Sequence, residues 1–294
     1  MNAHDKLEKL KSLLAALSGV VVGYSGGVDS TFLAAVAHKV LGDRMLAVTA
    51  RSETYPSSEM EAAGQLAKQL GFRHLFIDTS ELGIPGYAEN PTDRCFYCKG
   101  ELFGKLVEIA KSEGLNNVAD GANVDDTHDF RPGMKAAAAL GVRSLLKDAG
   151  LDKAEIRELS HEMGLPTWDK PSFACLASRF PYGVRITRER LKMVGEAEEF
   201  LRGKGLRQVR VRYYPLLKEV EVGKQDKAGV GTPALQQAMA RIEVGLDDLP
   251  RFFETTFRDE VVSRLKEIGF LYVALDLQGY RTGSMNEGLR VLES

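Results

Sequence analysis

The chain has 294 residues, 44% hydrophobic and 27% charged, and its 39 Lys and Arg against 41 Asp and Glu leave a net charge of −2. At roughly 100–200 residues per domain this length predicts two domains, the composition is that of an ordinary soluble globular protein, and the near-neutral balance excludes a molecule whose whole surface traps nucleic acid. No stretch approaches the ~18 consecutive apolar residues of a membrane span. The N-terminal leucines Leu7, Leu10, Leu14 and Leu17 recur at helical spacing between charges, which predicts an amphipathic helix rather than a secretion signal and a cytoplasmic location. The apolar run at 20–22 predicts a strand buried on both faces, and Phe32, Leu33, Val36, Val40 and Leu41 then predict a helix ended by Gly42. A strand at 45–50, a helix marked by Met60 to Leu70 and closed by Gly71, a strand at 74–78, a helix near 99–112 and a strand at 117–121 follow. Strands alternating with helices predict an α/β fold, a parallel sheet with helices on both faces, whose ligands bind outside the carboxyl ends of the strands.

Ile156, Leu159 and Met163 predict a further helix, stopped by Gly164 and Pro166, and a proline-bearing loop runs over 166–183. The domain boundary is expected at its end, giving an α/β domain at 1–183 and a smaller α+β domain at 184–294. In the latter, a helix over 188–202, strands at 207–212 and 240–244, a helix at 250–267 and a strand at 271–276 are predicted.

Between the first strand and its helix stands Ser25-Gly26-Gly27-Val28-Asp29-Ser30. Glycines let a backbone reach positive φ and approach a ligand closely. The helix start offers unpaired N–H groups and a partial positive charge, a phosphate seat to which Ser25 and Ser30 add hydroxyls. The loop has neither the lysine of a Walker sequence nor the glycine spacing of a dinucleotide fingerprint. A carboxylate beside bound phosphate calls for a cation, so Asp29 points to Mg²⁺; a plain glycine turn with a helix-start acid is the structural alternative. The string resembles the SGGxDS loop of the ATP pyrophosphatase (PP-loop) superfamily, which implies that residues 25 to 30 cradle the pyrophosphate leaving ATP.

The three cysteines are Cys95, Cys98 and Cys175. An odd number argues against a disulfide framework. Cys95 and Cys98 are expected at the sheet's ligand edge, Cys98 near a helix start that favours a thiolate, and Cys175 lies in the long loop. Three thiolates suit an iron–sulfur cluster or zinc with one open position, unligated thiols being the alternative. The histidines at 4, 38, 74, 128 and 161 show no paired ligand spacing and are assigned to packing or the surface. Arg210 and Arg212, two apart on a predicted strand, share a face and suit a phosphate. Ser178 and Arg179 follow Cys175, and Asn123 and Asp126 follow a strand end; the first pair are expected at substrate, the second pair there or in a turn.

Further strings, among them DRCFYCKGELF (93–103), DGANVDDTHDFRPG (120–133), GLPTWDKPSFACLASRFPYG (164–183), ARIEV (240–244) and DLQGYRTGSMNEGL (276–289), carry a resemblance over nearly the whole chain. It is to the ATP-dependent sacrificial sulfur transferase family of nickel-pincer nucleotide cofactor synthesis. The resemblance implies adenylation of a carboxylate of pyridinium-3,5-biscarboxylic acid mononucleotide with ATP and Mg²⁺, displacement of AMP by sulfur, and two rounds to the bisthiocarboxylate. In one subclass the sulfur comes from the enzyme's own cysteine, matched by Cys175. In the other, matched by Cys95, Cys98 and Cys175 and favoured here, three cysteines hold a [4Fe–4S] cluster. It also implies that Arg210 and Arg212 seat the substrate phosphate, that the enzyme is a homo-oligomer, and that its product passes to a nickel-inserting enzyme. Residues 213–239, where the family runs directly from one strand to the next, depart from its pattern and are expected to add a hairpin and helix. A tRNA thiolase, an amidating synthetase and a non-catalytic nucleotide-binding iron–sulfur sensor are the competing readings. The first needs a polyanion surface, the second has no use for three loop cysteines, and the third predicts ATP binding without pyrophosphate release.

Overall fold

The computed structural model describes residues 1–128, 132–216, 237–281 and 283–286. The chain forms two compact units, Met1–Ala174 and Cys175–Ser294, so the segment from Cys175 to the boundary expected at 183 groups with the second unit.

In the first unit the strands are β1 (Val20–Gly23), β2 (Met45–Arg51), β3 (His74–Asp78) and β4 (Val118–Ala119). Its helices are α1 (Ala3–Ala15), α2 (Val28–Leu41), α3 (Ser57–Leu70), α4 (Arg94–Ser112), α5 (Pro132–Ala139), α6 (Leu145–Ala149) and α7 (Lys153–Glu162). All strand pairs are parallel, in the order β3-β2-β1-β4, with Val20 opposite Met45 and Val21 opposite Val118. Alternation along β1 divides the core. Val20 and Val22 pack with Leu10, Leu14, Phe32, Leu33, Ala63, Leu145 and Ile156, whereas Val21 packs with Phe103, Leu106 and Ala110 of α4. Both faces of the sheet are therefore covered, as the apolar run at 20–22 predicted. Each fully buried valine there contributes about 1.5–3 kcal/mol and has no exposed surface. Gly71 closes α3 in the left-handed conformation (φ 76°), its N–H reaching the carbonyls of Ala67 and Lys68. The strand at 117–121 is shorter than expected, and α4 begins five residues earlier than predicted, at Arg94.

The second unit holds α8 (Arg188–Gly203), β5 (Val209–Pro215), β6 (Ala238–Val244), α9 (Thr255–Ile268) and β7 (Tyr272–Leu275). β6 is central, antiparallel to β5 and parallel to β7. Leu191, Val194, Ala197 and Leu201 form the buried stripe of α8, and Phe180, Tyr213 and Phe270 are among the largest fully buried side chains. The predicted helix at 250–267 is split: a 3-10 segment over Leu246–Phe253 contains Pro250, and α9 starts after it, because proline has no N–H to continue a helix. The hairpin and helix expected within 213–239 lie, over 217–236, outside the described residues.

Candidate active site

From β1 the chain runs outward through β2 and β3, then returns to β1's other side with β4. The strand order reverses between β1 and β4, and in such sheets ligands bind at the carboxyl ends beside that reversal. Ser25 to Ser30 leave the end of β1, and Asp120 to Asp126 leave the end of β4, so the two expected segments flank one crevice.

The glycine loop is shaped by its own chain. Gly26 has φ +66°, and a Cβ there would stand 2.8 Å from the Ala63 Cβ. Gly27 is the N-cap of α2 with no side chain capping it, so the first-turn N–H groups at Val28, Asp29 and Ser30 face the crevice as donors. Ser30 Oγ accepts the Ser25 N–H at 3.2 Å and lies 3.0 Å from Ser25 Oγ, tying the two ends of the loop together. At Gly121 an added Cβ would meet the Ser30 nitrogen at 3.2 Å, which shows how closely the β4 segment approaches α2.

Asp29, on the first turn of α2, accepts a hydrogen bond from Asn123 Nδ2 at 3.3 Å and forms an ion pair with Lys153. Asp126 accepts the Asn123 N–H at 3.0 Å, so Asp126 positions Asn123 rather than standing apart from it. Asn123 is both a turn-former, accepting the Asp125 N–H at 2.9 Å, and a neighbour of the loop. Burial raises the Asp120 carboxyl above its ordinary value, against hydrogen bonds from Ser144 and the Ala122 N–H. Lys170 reaches the same loop from the far end of the unit, donating to the Gly26 carbonyl at 3.2 Å and to Glu59 at 3.0 Å.

Cys95 and Cys98 lie inside the first turns of α4, not in a loop ahead of it. Three residues apart on a helix, they share a face, Cys95 exposed and Cys98 half-buried. None of the three cysteines is in a disulfide. The donor types fit a thiolate-bound cluster, but among the described residues no group of three or more His, Cys, Asp or Glu is assembled to hold a metal ion.

In the second unit Cys175 is the N-cap of a 3-10 turn, Leu176–Arg179. Its carbonyl accepts from Ser178 Oγ at 2.8 Å and from Arg179 Nη1 at 3.3 Å, and Arg179 also donates to Ser178 Oγ at 2.7 Å. Arg179 is fully buried and forks onto Glu198, at 2.6 and 2.9 Å. Glu198 also accepts from Arg202 at 2.6 Å and from the Val211 N–H at 3.0 Å. Burial alone raises this carboxyl, but the charge and hydrogen bonds of Arg179, with Arg202 and Arg210, outweigh it and hold it below its ordinary value. Arg179 and Ser178 thus brace the Cys175 turn.

Arg210 and Arg212 are both buried and have different surroundings. Arg212 donates to the Ser178 carbonyl at 2.9 Å, to Glu243 at 2.7 Å and to Ser284 Oγ at 2.9 Å. Arg210 lies over the Tyr280 ring at 5.1 Å, and burial, then the neighbouring Arg179 charge, brings its pKa down to about 10. Three guanidinium groups, at 179, 210 and 212, so gather about two buried carboxylates, an arrangement that favours an added anion.

Four residues of these networks were not foreseen. Glu198 was legible, an acid on the apolar stripe of α8, and Glu243 stands between Ile242 and Val244 in a strand buried throughout that stretch. Lys153 and Lys170 left no local signal, because each meets the loop across more than a hundred residues.

The NAD synthase family model matches residues 4–84, which contain the glycine loop. An uncharacterized protein of Synechocystis sp. is 41% identical over 97% of this chain and 98% of its own length. The pyridinium-3,5-bisthiocarboxylic acid mononucleotide synthase of Lactiplantibacillus plantarum is 35% identical over 97% of this chain and 95% of its own. A tRNA-specific 2-thiouridylase of Nostoc punctiforme is 28% identical over 52% of each chain.

Proposed function

This chain belongs to the family of the pyridinium-3,5-bisthiocarboxylic acid mononucleotide synthase, and from that premise we propose that it is an ATP-dependent, adenylating sulfur transferase making the bisthiocarboxylate nucleotide from its biscarboxylate. The observation that carries the reading is similarity along 97% of the chain, which extends past the pyrophosphate loop into the unit bearing Cys175.

A carboxylate is a poor electrophile, so the first step gives it a leaving group. A substrate carboxylate oxygen bonds to the α-phosphorus of ATP while the bond to the β-phosphate oxygen breaks, and the electron pair leaves on pyrophosphate. The N–H groups of the Ser25–Ser30 loop and the α2 N-terminus receive that charge. Mg²⁺, when bound with Asp29 as one ligand, would neutralise part of it. The Cys175 thiolate then attacks the acyl carbon and AMP departs. Removal of the Cys175 Cα proton breaks the Cβ–S bond, giving thiocarboxylate and dehydroalanine. A [4Fe–4S] cluster on Cys95, Cys98 and Cys175, the assignment preferred here, would supply a sulfide instead and spare the cysteine. Arg210, beside Tyr280, takes the substrate phosphate, with Arg212 held by Glu243 as its neighbour.

The reading further assigns the enzyme to the cytoplasm, to a homo-oligomer and to handover of product to a nickel-inserting enzyme. The exposed Leu246, Phe253, Tyr272 and Leu277 of the second unit support a covered face there. No helix among the described residues is long and apolar enough to cross a membrane.

The test is anaerobic purification with iron and sulfide analysis, then incubation with ATP, Mg²⁺ and the biscarboxylate nucleotide under mass spectrometry. Pyrophosphate and thiocarboxylate are expected together. Repeated turnover with intact Cys175 assigns the sulfur to a cluster, and one event leaving dehydroalanine assigns it to Cys175. Pyrophosphate without any sulfur in the product would refute the transferase reading.

A further inference from the structure

We propose that Tyr280 is a positioning residue for the substrate phosphate, its ring holding the Arg210 guanidinium where a phosphate oxygen can accept from it. The inference rests on Arg210 and Arg212 as the phosphate seat and adds the residue that sets one of them.

The segment that carries Tyr280 is built against the end of β6. Asp276 opens a turn, its side chain accepting the Gln278 N–H at 2.9 Å and its carbonyl the Gly279 N–H at 3.0 Å. Gly279 has φ +69°, and a Cβ there would stand 2.9 Å from the Val244 carbonyl oxygen and 2.9 Å from Leu246 Cδ2. Glycine permits both the positive φ and so close a pass. The Tyr280 N–H then donates to the same Val244 carbonyl at 2.7 Å. Val244 adjoins Glu243, which stands opposite Arg210 in the register of β5 and β6. The ring is thus delivered beside Arg210, whose guanidinium carbon lies over it, 5.1 Å from the ring centre. Further along, Ser284 Oγ accepts from Arg212 at 2.9 Å and donates to Glu243 at 2.9 Å. One segment therefore reaches both arginines.

The kind of contact matters to an incoming anion. Arg179 and Arg212 are bonded to carboxylates, Glu198 and Glu243, which offset their charge. An aromatic face attracts a cation through its quadrupole and brings no net charge. Tyr280 thereby holds Arg210 and leaves its positive charge for the phosphate. Burial, then the Arg179 charge, work against a cation at Arg210, and Glu198 and Tyr280 work for it. A long side chain placed before ligand arrives also loses less rotamer freedom on binding.

The experiment titrates the biscarboxylate nucleotide, and separately its dephosphorylated nucleoside, into the full-length protein by calorimetry without ATP. Tyr280→Leu is expected to weaken the nucleotide by about tenfold, the range of a desolvated cation–π contact, and to leave the nucleoside unchanged. Tyr280→Phe, which keeps the ring, restores most of the loss. In an Arg210→Met background, Tyr280→Leu has no further effect. A role in folding alone would move nucleotide and nucleoside together and would persist in that background, so either result overturns the inference. Undiminished nucleotide affinity in Tyr280→Leu, beside a loss in Arg210→Met, overturns it and leaves the phosphate seat standing. Equal affinity of the wild type for nucleotide and nucleoside overturns the seat and the inference with it. If Tyr280→Leu fails to fold, Tyr280→Met, an unbranched chain without a ring, takes its place and is read by the same outcomes.

Discussion

Replacing Glu198 by Gln removes one charge from a group with no exposed side-chain surface, and the structure sets the consequence. Arg179, equally buried, keeps its positive charge and loses its counter-ion; Arg202 loses an acceptor, and the Val211 N–H has one remaining amide oxygen to share. Breaking a buried ion pair by removing one partner costs about 3–5 kcal/mol, far more than the pair's net worth, because the orphaned charge stays buried. For a unit of the size of Cys175–Ser294, at about 3–5 °C per kcal/mol, the midpoint falls by about 10–25 °C. Circular dichroism reports both units, and fluorescence of the single tryptophan, Trp168, reports the first. The expected result is an early dichroism transition with the Trp168 transition little moved. The pH dependence has a definite sign. Glu198 is held below its ordinary value, so its contribution is complete above the unfolded carboxyl range near 4.3 and is lost as pH falls through the folded value. The wild type's margin over Glu198→Gln therefore narrows in acid. A variant within about 1 kcal/mol of wild type at neutral pH, the range of a surface pair, would refute the assignment of Glu198 as the counter-ion that holds the Cys175 turn.

Gly26→Ala forces a side chain into positive φ and against Ala63; strain of about 1–3 kcal/mol is expected to cut pyrophosphate release at least several-fold, measured with saturating acceptor. Lys170→Met removes the tie between the Gly26 carbonyl and Glu59, so the KM for ATP rises while stability changes by less than about 1 kcal/mol. Arg210→Met and Arg212→Met should separate: the first weakens binding of the substrate nucleotide, and the second also destabilises by more than the ~1 kcal/mol of a surface pair, because the fully buried Glu243 loses one of its two arginine partners and keeps only Arg241, at 2.8 Å. Equal destabilisation by both variants would contradict the different pairings.

The reach of the sequence follows the range of the interactions. The first unit was readable because its signals are local: three consecutive valines, glycines ending helices at 42 and 71, and a glycine loop between strand and helix. The start of α4 was misplaced because Arg94 and Cys95 carry no apolar periodicity, although Arg94 is buried there and bonds Asn90 at 2.6 Å. In the second unit the face shared by Arg210 and Arg212 was deducible from strand alternation. Their carboxylate partners were not, since Glu243 faces Arg210 across β5 and β6, a register that no segment specifies alone. Trp168, in the loop that follows α7, stands edge-on to His161, the ring centroids 4.6 Å apart.

Several charged groups of the two networks are already engaged within their own unit: Lys153 with Asp29, Lys170 with Glu59, Arg212 with Glu243. A site built this way binds an anion by exchange. The ligand gains a cation only as a carboxylate gives one up, which lowers affinity relative to bare cations but removes the cost of holding like charges together before ligand arrives. The exposure of these pairs sorts them by task. Lys153 and Asp29, 29% and 23% exposed, can part at modest cost. Arg212 and Glu243, 6% and 0% exposed, cannot part without leaving a buried charge, so that pair holds its shape while ligand comes and goes. For Arg210, the residue proposed above for the substrate phosphate, burial and then the neighbouring Arg179 charge bring the pKa down to about 10, and an added anion would offset the second of these.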